Sequence, residues 1–374
     1  MLFVERRRIS MRRLLLGVFL IMIFGCIKGV HAETFVPASN PFIQYSGRWD
    51  FSDSLNPRHS WPGIYVVAVF DGDTIGVRMQ DTVNYYDVYI DGKLHGIFHG
   101  DKPGDADYIL ATNLSDSIHT LRLSQRNISF GIYTFSGLIL QNGAKLYSPP
   151  VPPERKIEFI GDSYTAAEGN EATQKVMQWT AKFPVTDIDS GFAAITARHF
   201  DAQYHITARS GIGAVCDWQG HFKTSMLNYF DRTLMESPEP KWDFRKWVPS
   251  LVVICLGLND HSGLAGKNGK VTAENSRIFR DGYAKLLSMV RGVYPDVPIL
   301  VWAPYPMWAR RNEKEVVAKE RAEGFKKLYY AHFDRFPGGY VADGHPTVAT
   351  HKKMAAELIK AVNKIGVFKL AESN

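Results

Sequence analysis

A β-sandwich followed by an α/β domain on a parallel sheet is the architecture this 374-residue sequence predicts, and three observations carry it. From Glu33 to about Pro150 there are only short alternating runs separated by turn signals, with no sustained helical period. Then Ser148-Pro149-Pro150-Val151-Pro152-Pro153 forms a stiff extended linker that can neither continue a sheet nor start a helix. Beyond it, continuous apolar runs alternate with segments of helical spacing, the pattern of parallel strands covered on both faces by helices.

Residues 1–32 stand apart from both. Arginines come first, then an apolar run from Leu14 to Ile27, then Val30-His31-Ala32, with small residues where a signal peptidase reads them. The run is shorter than the roughly 20 apolar residues of a membrane span, so a cleaved secretory signal is expected, rather than a retained anchor or a lipid-modified Cys26. The chain's formal charge of +6 is mostly this segment, which holds six basic residues against Glu5. The remainder is near neutral, so composition points to no nucleic-acid partner and no acidic-membrane partner, and the expected location is secreted or periplasmic. After cleavage only Cys216 and Cys255 remain. One disulfide between them is possible, but Cys255 lies in an apolar run and a buried inert thiol is the expectation.

Within the sandwich of about 115 residues, at 33–150, Ile64 to Phe70 leads into Asp71-Gly72 and Asp87 to Ile90 into Asp91-Gly92, both hairpin-type dipeptides. Leu121-Arg122-Leu123 and Leu138-Ile139-Leu140 continue the series. In the second domain, at 151–374, strands are expected at Ile157 to Ile160, Tyr204 to Ala208, Leu251 to Leu256 and Ile299 to Ala303. Helices are expected at Phe192 to Phe200, at Ile278 to Val293, and from near Thr347 through Val362.

The first of these strands breaks into Gly161-Asp162-Ser163, a strand-to-helix turn that presents Ser163 at the end of the sheet where ligands bind in open α/β folds. Taken alone, Ser163 reads equally well as a helix cap. A serine hydroxyl needs a base and an oxyanion site to act as a nucleophile, and three more strand-end loops supply that inventory. Gly211 offers an unobstructed backbone N–H, Asn259 in Gly257-Leu258-Asn259-Asp260 offers an amide, and His345 in Asp343-Gly344-His345-Pro346 offers a base. His351 is the competing histidine, but it falls a turn into the following helix.

These four blocks, in this order, resemble the SGNH (GDSL-type) hydrolase superfamily. Tyr45-Ser46-Gly47-Arg48, Trp61-Pro62-Gly63, Val88-Tyr89-Ile90-Asp91-Gly92 and Gly131-Ile132-Tyr133-Thr134-Phe135-Ser136-Gly137 resemble the N-terminal jelly-roll domain of carbohydrate esterase family 2. The resemblance implies a jelly roll followed by a flavodoxin-like, three-layer α/β/α hydrolase domain. It implies a polysaccharide O-acetyl esterase that needs no metal or organic cofactor, with Ser163 attacking the acetyl carbonyl and His345 taking its proton. Ser163, Gly211 and Asn259 would hold the oxyanion. Acetylated hemicellulose, with a tendency toward the 6-position, is the substrate implied; a self-made exopolysaccharide is the alternative.

Two other functions share these features: a lipase or thioesterase on the same fold, and a non-catalytic carbohydrate-binding protein. The chain also departs from the family pattern. Leu258 stands where Thr is usual, Gly344 where an aromatic residue commonly precedes the histidine, and Gln125-Arg126-Asn127 where an acidic motif is usual. The acid that commonly lies three residues before the histidine is replaced by Ala342, leaving Asp343 two residues before it. Asp343 is the expected third member of the triad, with a backbone carbonyl as the alternative orienting group. Tyr305 and Trp308, with Met307 between them, are candidates for a sugar-binding wall, against ordinary packing.

Overall fold

Alternation of inward and outward side chains builds the first half. In Tyr65–Asp71, Val66, Ala68 and Phe70 are buried while their neighbours are half-exposed. Two antiparallel sheets result. One runs Glu33–Pro37, Tyr133–Gln141, Ile75–Gln80, Ala106–Ala111; the other runs Leu146–Tyr147, Tyr65–Asp71, Ile118–Gln125, Tyr85–Ile90, Lys93–His99. Their inner faces meet over Val66, Phe70, Val77, Leu121 and Leu138. Of the two expected hairpins, Asp91-Gly92 is one: both residues have positive φ, 52° and 74°, and Ile90 pairs with Lys93. Asp71-Gly72 is not, because the strands it joins lie in different sheets. A turn dipeptide fixes a local reversal but not which sheet the next strand enters.

The computed structural model describes residues 33–266 and 269–368. The expected signal segment, with Cys26 and the cleavage point after Ala32, lies outside the described residues. Among the described residues no helix is long and apolar enough to cross a membrane.

In the second half five parallel strands lie in the order Ala202–Ala208, Arg155–Gly161, Leu251–Cys255, Ile299–Ala303, Leu328–His332. This is the flavodoxin-like order 2-1-3-4-5. Successive residues of each strand serve opposite faces. Val252 and Ile254 pack with Phe279, Leu286 and Val290 of the Ala273–Val293 helix, while Leu251 and Val253 pack with Phe192 of Phe192–His199 and Leu358 of Val348–Ile365. The fifth strand, Leu-Tyr-Tyr-Ala-His, was not expected from sequence. It is an edge strand with one fully buried residue, so it lacks the continuous apolar run of its neighbours.

The sandwich is not a loosely tethered module, for residues of the two halves form one compact unit. The linker has no regular structure and is pinned from both sides, Gln44 donating to the Pro150 carbonyl and Gln203 to that of Pro153. Trp61 of the sandwich is buried in the core of the α/β half beside Ile160 and Phe230. Arg122 forms a two-pronged pair with Asp189 at 2.6 and 2.9 Å. Gln125, Arg126 and Asn127 are buried, Arg126 bridging Asp87 and Glu171.

The deepest tie is Arg48 to Glu158, 2.7 Å apart and essentially inaccessible. Arg48 also donates to the carbonyls of Phe230 and Arg232 and lies 5.2–5.7 Å from the rings of Trp61, Phe230, Trp242 and Phe244. Glu158 accepts from Thr207 and Tyr294. Removing one partner of such a pair strands a buried charge. Arg48→Met is expected to cost about 3–5 kcal/mol in urea unfolding, and Arg48→Met with Glu158→Met to recover most of it. Equal losses in the single and double variants would show that the pair itself contributes little.

Candidate active site

Strand order fixes where the site is. The chain leaves the interior strand Arg155–Gly161 toward Ala202–Ala208 on one side and returns to Leu251–Cys255 on the other, so a crevice opens between the loops that follow the first and third strands. Gly161 pairs with both Ala208 and Cys255, and the loops after all three carry the predicted residues: Ser163, Gly211 and Asn259.

Ser163 is largely buried on a tight turn held by Glu168 N–H donating to its carbonyl and by Tyr164 N–H donating to Asp162. Gly211 has φ +77°, and the exposed Trp218 lies over it, its ring 2.9 Å from where a Cβ would stand. Among the described residues neither the Ser163 nor the Gly211 backbone N–H has a protein acceptor. Asn259 opens the helix Leu258–Leu264; its amide donates to the Ile212 carbonyl at 2.9 Å and, at 3.3 Å, to Asp162. Asp260 beside it clamps the neighbouring loop by accepting from the N–H groups of Ala214 and Val215, both at 2.8 Å. One short block thus ties the third strand end to the second.

His345 packs on the turn that carries Ser163: its ring is 5.8 Å from that of Tyr164, whose hydroxyl donates to the Gly344 carbonyl at 2.7 Å. Its Nδ1 lies 2.5 Å from the Ala342 carbonyl. A carbonyl only accepts, so the proton sits on Nδ1 and Nε2 carries the free lone pair. Nε2 is 3.7 Å from Glu168 Oε1 and makes no hydrogen bond with Ser163 in this conformation.

Here the expectation for Asp343 is corrected. Its carboxylate pairs with Lys182 at 2.7 Å and accepts from Met177 N–H, so the backbone carbonyl, not Asp343, engages the imidazole. The cause is local. Ala342 and Asp343 both have positive φ, 40° and 65°, and this double left-handed turn brings the Ala342 carbonyl onto the ring while the Asp343 side chain leaves toward Lys182. His351 is fully buried, accepts from Phe192 N–H, and has its pKa pushed down to about 3 by burial, which removes it from contention.

Trp308 is also corrected: its indole N–H donates to Ser276 and its ring packs on Phe279, so it is a packing residue of the α/β core. Tyr305 stays beside the site, 6.0 Å from Tyr340. Trp218, 56% exposed next to Gly211, was missed because a lone tryptophan in a long irregular segment carries no periodic signal. Glu168 was missed as well. It is buried among Lys182, Ser210 and His345, an arrangement that only the fold brings together. Cys216 and Cys255 are free and buried, with the Cys216 thiol pushed up to about 12 by burial. Among the described residues no group of three or more His, Cys, Asp or Glu is arranged to hold a metal ion.

Beneath the crevice lies a row of buried acids. Burial pushes Asp162 up to about 7 and Asp260 up to about 6. Glu313, wholly buried, has no hydrogen-bond partner among the described residues for either oxygen. It touches Gly257, where φ is +110° and a Cβ would come within 2.5 Å of its Oε1.

These features agree with known proteins. The carbohydrate esterase 2 N-terminal family matches residues 45–150, and the GDSL-like lipase/acylhydrolase family matches residues 159–359. The chain belongs to the GDSL-like lipase/acylhydrolase family. It is 36% identical over 339 residues, 87% of its length, to the cellulase/esterase CelE of Acetivibrio thermocellus, and spans 40% of that protein. It is 31% identical over 212 residues to an acetylxylan esterase/glucomannan deacetylase of Cellvibrio japonicus, matching 56% of this chain and 58% of that one. A solved family two carbohydrate esterase from Clostridium thermocellum, in complex with cellohexaose, superposes with a TM-score of 0.79 at 33% identity, over 87% of this chain and 99% of that one. The expected sandwich and parallel-sheet hydrolase architecture is therefore that of family 2 carbohydrate esterases.

Two outcomes follow from the geometry. Asp343→Asn is expected to lower esterase turnover by less than about tenfold, ~1.4 kcal/mol, because it weakens the Lys182 contact without touching the imidazole. A loss of several orders of magnitude would reinstate Asp343 as an acid acting on His345. Glu313 has its pKa raised well above 4.5 by burial, so both folded and unfolded chains hold its proton below that pH, and the folded state loses relative stability as pH rises above it. Glu313→Gln titrates in neither state. The variant is therefore expected to gain stability over the wild type on going from pH 5 to pH 8, read from unfolding midpoints at both pH values. The gain is about 1.4 kcal/mol for each pH step that lies between the unfolded and folded pKa of the glutamate. A variant-minus-wild-type difference that does not change with pH defeats this.

Proposed function

We propose that the chain is a secreted or periplasmic serine esterase that removes O-acetyl groups from polysaccharide through an acyl-enzyme. The observation that carries the reading is the His345 ring with Nδ1–H held by a backbone carbonyl and Nε2 free, packed on the turn of a serine whose own N–H and that of Gly211 lack protein acceptors.

In this reaction the Ser163 hydroxyl adds to the acetyl carbonyl carbon as its proton passes to His345 Nε2. The hydrogen bond between them forms as the substrate is seated, since such contacts are commonly long in a free enzyme. The carbonyl oxygen becomes an oxyanion and takes hydrogen bonds from the N–H groups of Ser163 and Gly211 and from the Asn259 amide, which gives up its longer contact to Asp162. The tetrahedral intermediate collapses, and the sugar oxygen leaves with the proton from His345. Water then adds to the acetyl-serine carbonyl as its proton passes to the same Nε2, and the bond to Ser163 Oγ breaks as that oxygen takes the proton back, releasing acetic acid, which ionises to acetate. Glu168, 3.7 Å from Nε2, favours the imidazolium that forms in each half-reaction, while Lys182 balances its charge otherwise. No metal or organic cofactor enters. Trp218 beside the oxyanion site and Tyr305 beside the histidine supply aromatic faces for sugar rings.

Acetate release from acetylated xylan, glucomannan and cellulose, together with an acyl series of nitrophenyl esters, tests this. Activity is expected to fall steeply from acetate to butyrate, and Ser163→Ala to lower it by several orders of magnitude with circular dichroism unchanged. A preference for octanoate moves the chain to the lipase reading. Glycan binding with no ester cleavage moves it to a carbohydrate-binding role.

A further inference from the structure

Next to the histidine loop lies a cleft of about 530 Å³ whose lining includes Lys175, Arg335, Tyr340 and Gly344. It contains two cations and no acid. The acids nearest them in the chain or across the loop are committed elsewhere: Asp334 pairs with Arg310, and Asp343 with Lys182. Neither Lys175 nor Arg335 has a carboxylate partner among the described residues.

Arg335 is braced by aromatic rings, and the backbone that carries Lys175 is fastened. Arg335 lies 5.5 Å from the Tyr305 ring and 5.4 Å from that of Tyr340, so its guanidinium rests against two aromatic faces and keeps its N–H edges for a ligand. The backbone at Lys175 is fastened to the catalytic loop, Asp343 N–H donating to its carbonyl at 2.7 Å and Ala342 N–H to that of Gln174 at 2.8 Å. The floor is open: a Cβ at Gly344 would meet nothing within 4 Å. An unneutralised pair of cations beside an ester-cleaving histidine fits a planar carboxylate on the substrate better than a neutral sugar.

We propose that Lys175 and Arg335 form a subsite for the carboxylate of a uronic acid, so that the acetylated polysaccharide this chain works on is acidic. This rests on the esterase reading for its reaction but not for its binding. The carboxylate has two sources, a uronic acid carried as a branch or one within the main chain, and the cleft accepts the same group from either.

Binding is measured with Ser163→Ala protein, by affinity electrophoresis and titration calorimetry, against deacetylated oligosaccharides of equal length: glucuronoxylan with branch uronates, a polyuronate, and neutral xylan. At low salt one of the acidic oligosaccharides, which identifies the source, is expected to bind roughly tenfold tighter than the neutral one, with the advantage shrinking at about 0.5 M salt. Adding Lys175→Gln and Arg335→Gln is expected to erase that advantage, whereas Arg335→Lys retains part of it. Equal affinity for acidic and neutral oligosaccharides, or an advantage untouched by the double change, overturns the proposal. Acetate release by the wild type from the acetylated forms is scored separately. Cleavage with no acidic preference in binding defeats the subsite and leaves the esterase, while acidic preference without cleavage does the reverse.

Discussion

The Arg48–Glu158 pair is the constraint on which the rest of the molecule depends. Glu158 sits in the middle of the interior strand Arg155–Gly161, flanked on both sides by other strands and covered above and below, so its charge cannot reach water. A carboxylate there is tolerable only if a cation and hydrogen-bond donors come to it, and the cation comes from the sandwich. The arginine in turn is surrounded by four aromatic rings and two carbonyls, so neither half offers its charged member a satisfactory environment alone. The two halves must fold as one body, and that body is anchored three residues before Gly161-Asp162-Ser163 begins.

That proximity bears on the site. A nucleophile on a tight turn is positioned only as well as the strand beneath it, and this strand is fixed by pairing on both edges and by an ion pair through its face. The second and third strands end level with it, at Ala208 and Cys255, and the Asp260 carboxylate then fastens the loop after one to the helix after the other. The sandwich, which contributes none of the proposed reacting groups, therefore acts on the site through the strand.

Legibility followed the range of the forces involved. That Ser163, Gly211 and Asn259 share one end of the sheet was readable because each lies in a short small-residue loop after an apolar strand, and loops of that kind in an α/β sheet converge by topology alone; His345, in the short strand His345–Pro346, was picked out instead by its Asp-Gly-His-Pro block ahead of the last helix. The sandwich and four of five parallel strands were readable from periodicity; the edge strand Leu328–His332, half-exposed, was not. What sequence could not convey was direction and distant partnership. Counting residues back from His345 gives Asp343 and Ala342 as the only nearby groups, but which one turns inward depends on two left-handed φ angles that neither residue advertises. Glu168, Lys182 and Asp343 meet across 175 residues, and Arg48 meets Glu158 across 110, by packing that no local pattern records. Trp308 misled for a related reason: an aromatic just past a strand end can face the crevice or the helix behind it, and here Ser276 claims its N–H.

Under the proposed esterase reaction, the arrangement around His345 accounts for the lack of a carboxylate at Nδ1. An acid there does two things, holding the ring in one tautomer and opposing the positive charge that develops when Nε2 gains a proton. The Ala342 carbonyl does the first, since it can only accept. In the proposed reaction the second falls to Glu168, which lies on the Nε2 side, within the turn that carries the nucleophile. A bare carboxylate so close to Nε2 would draw the ring away from Ser163; tied to Lys182 and to the Ser210 hydroxyl, it has its own oxygens occupied and acts chiefly through its charge. Lys182 then joins Glu168 to Asp343, so the left-handed turn that aims the Ala342 carbonyl and the acid that faces Nε2 are braced by one ammonium group. In the proposed reaction the two functions of the missing acid are divided between a backbone group and a side chain from another loop, and a single lysine keeps them in register.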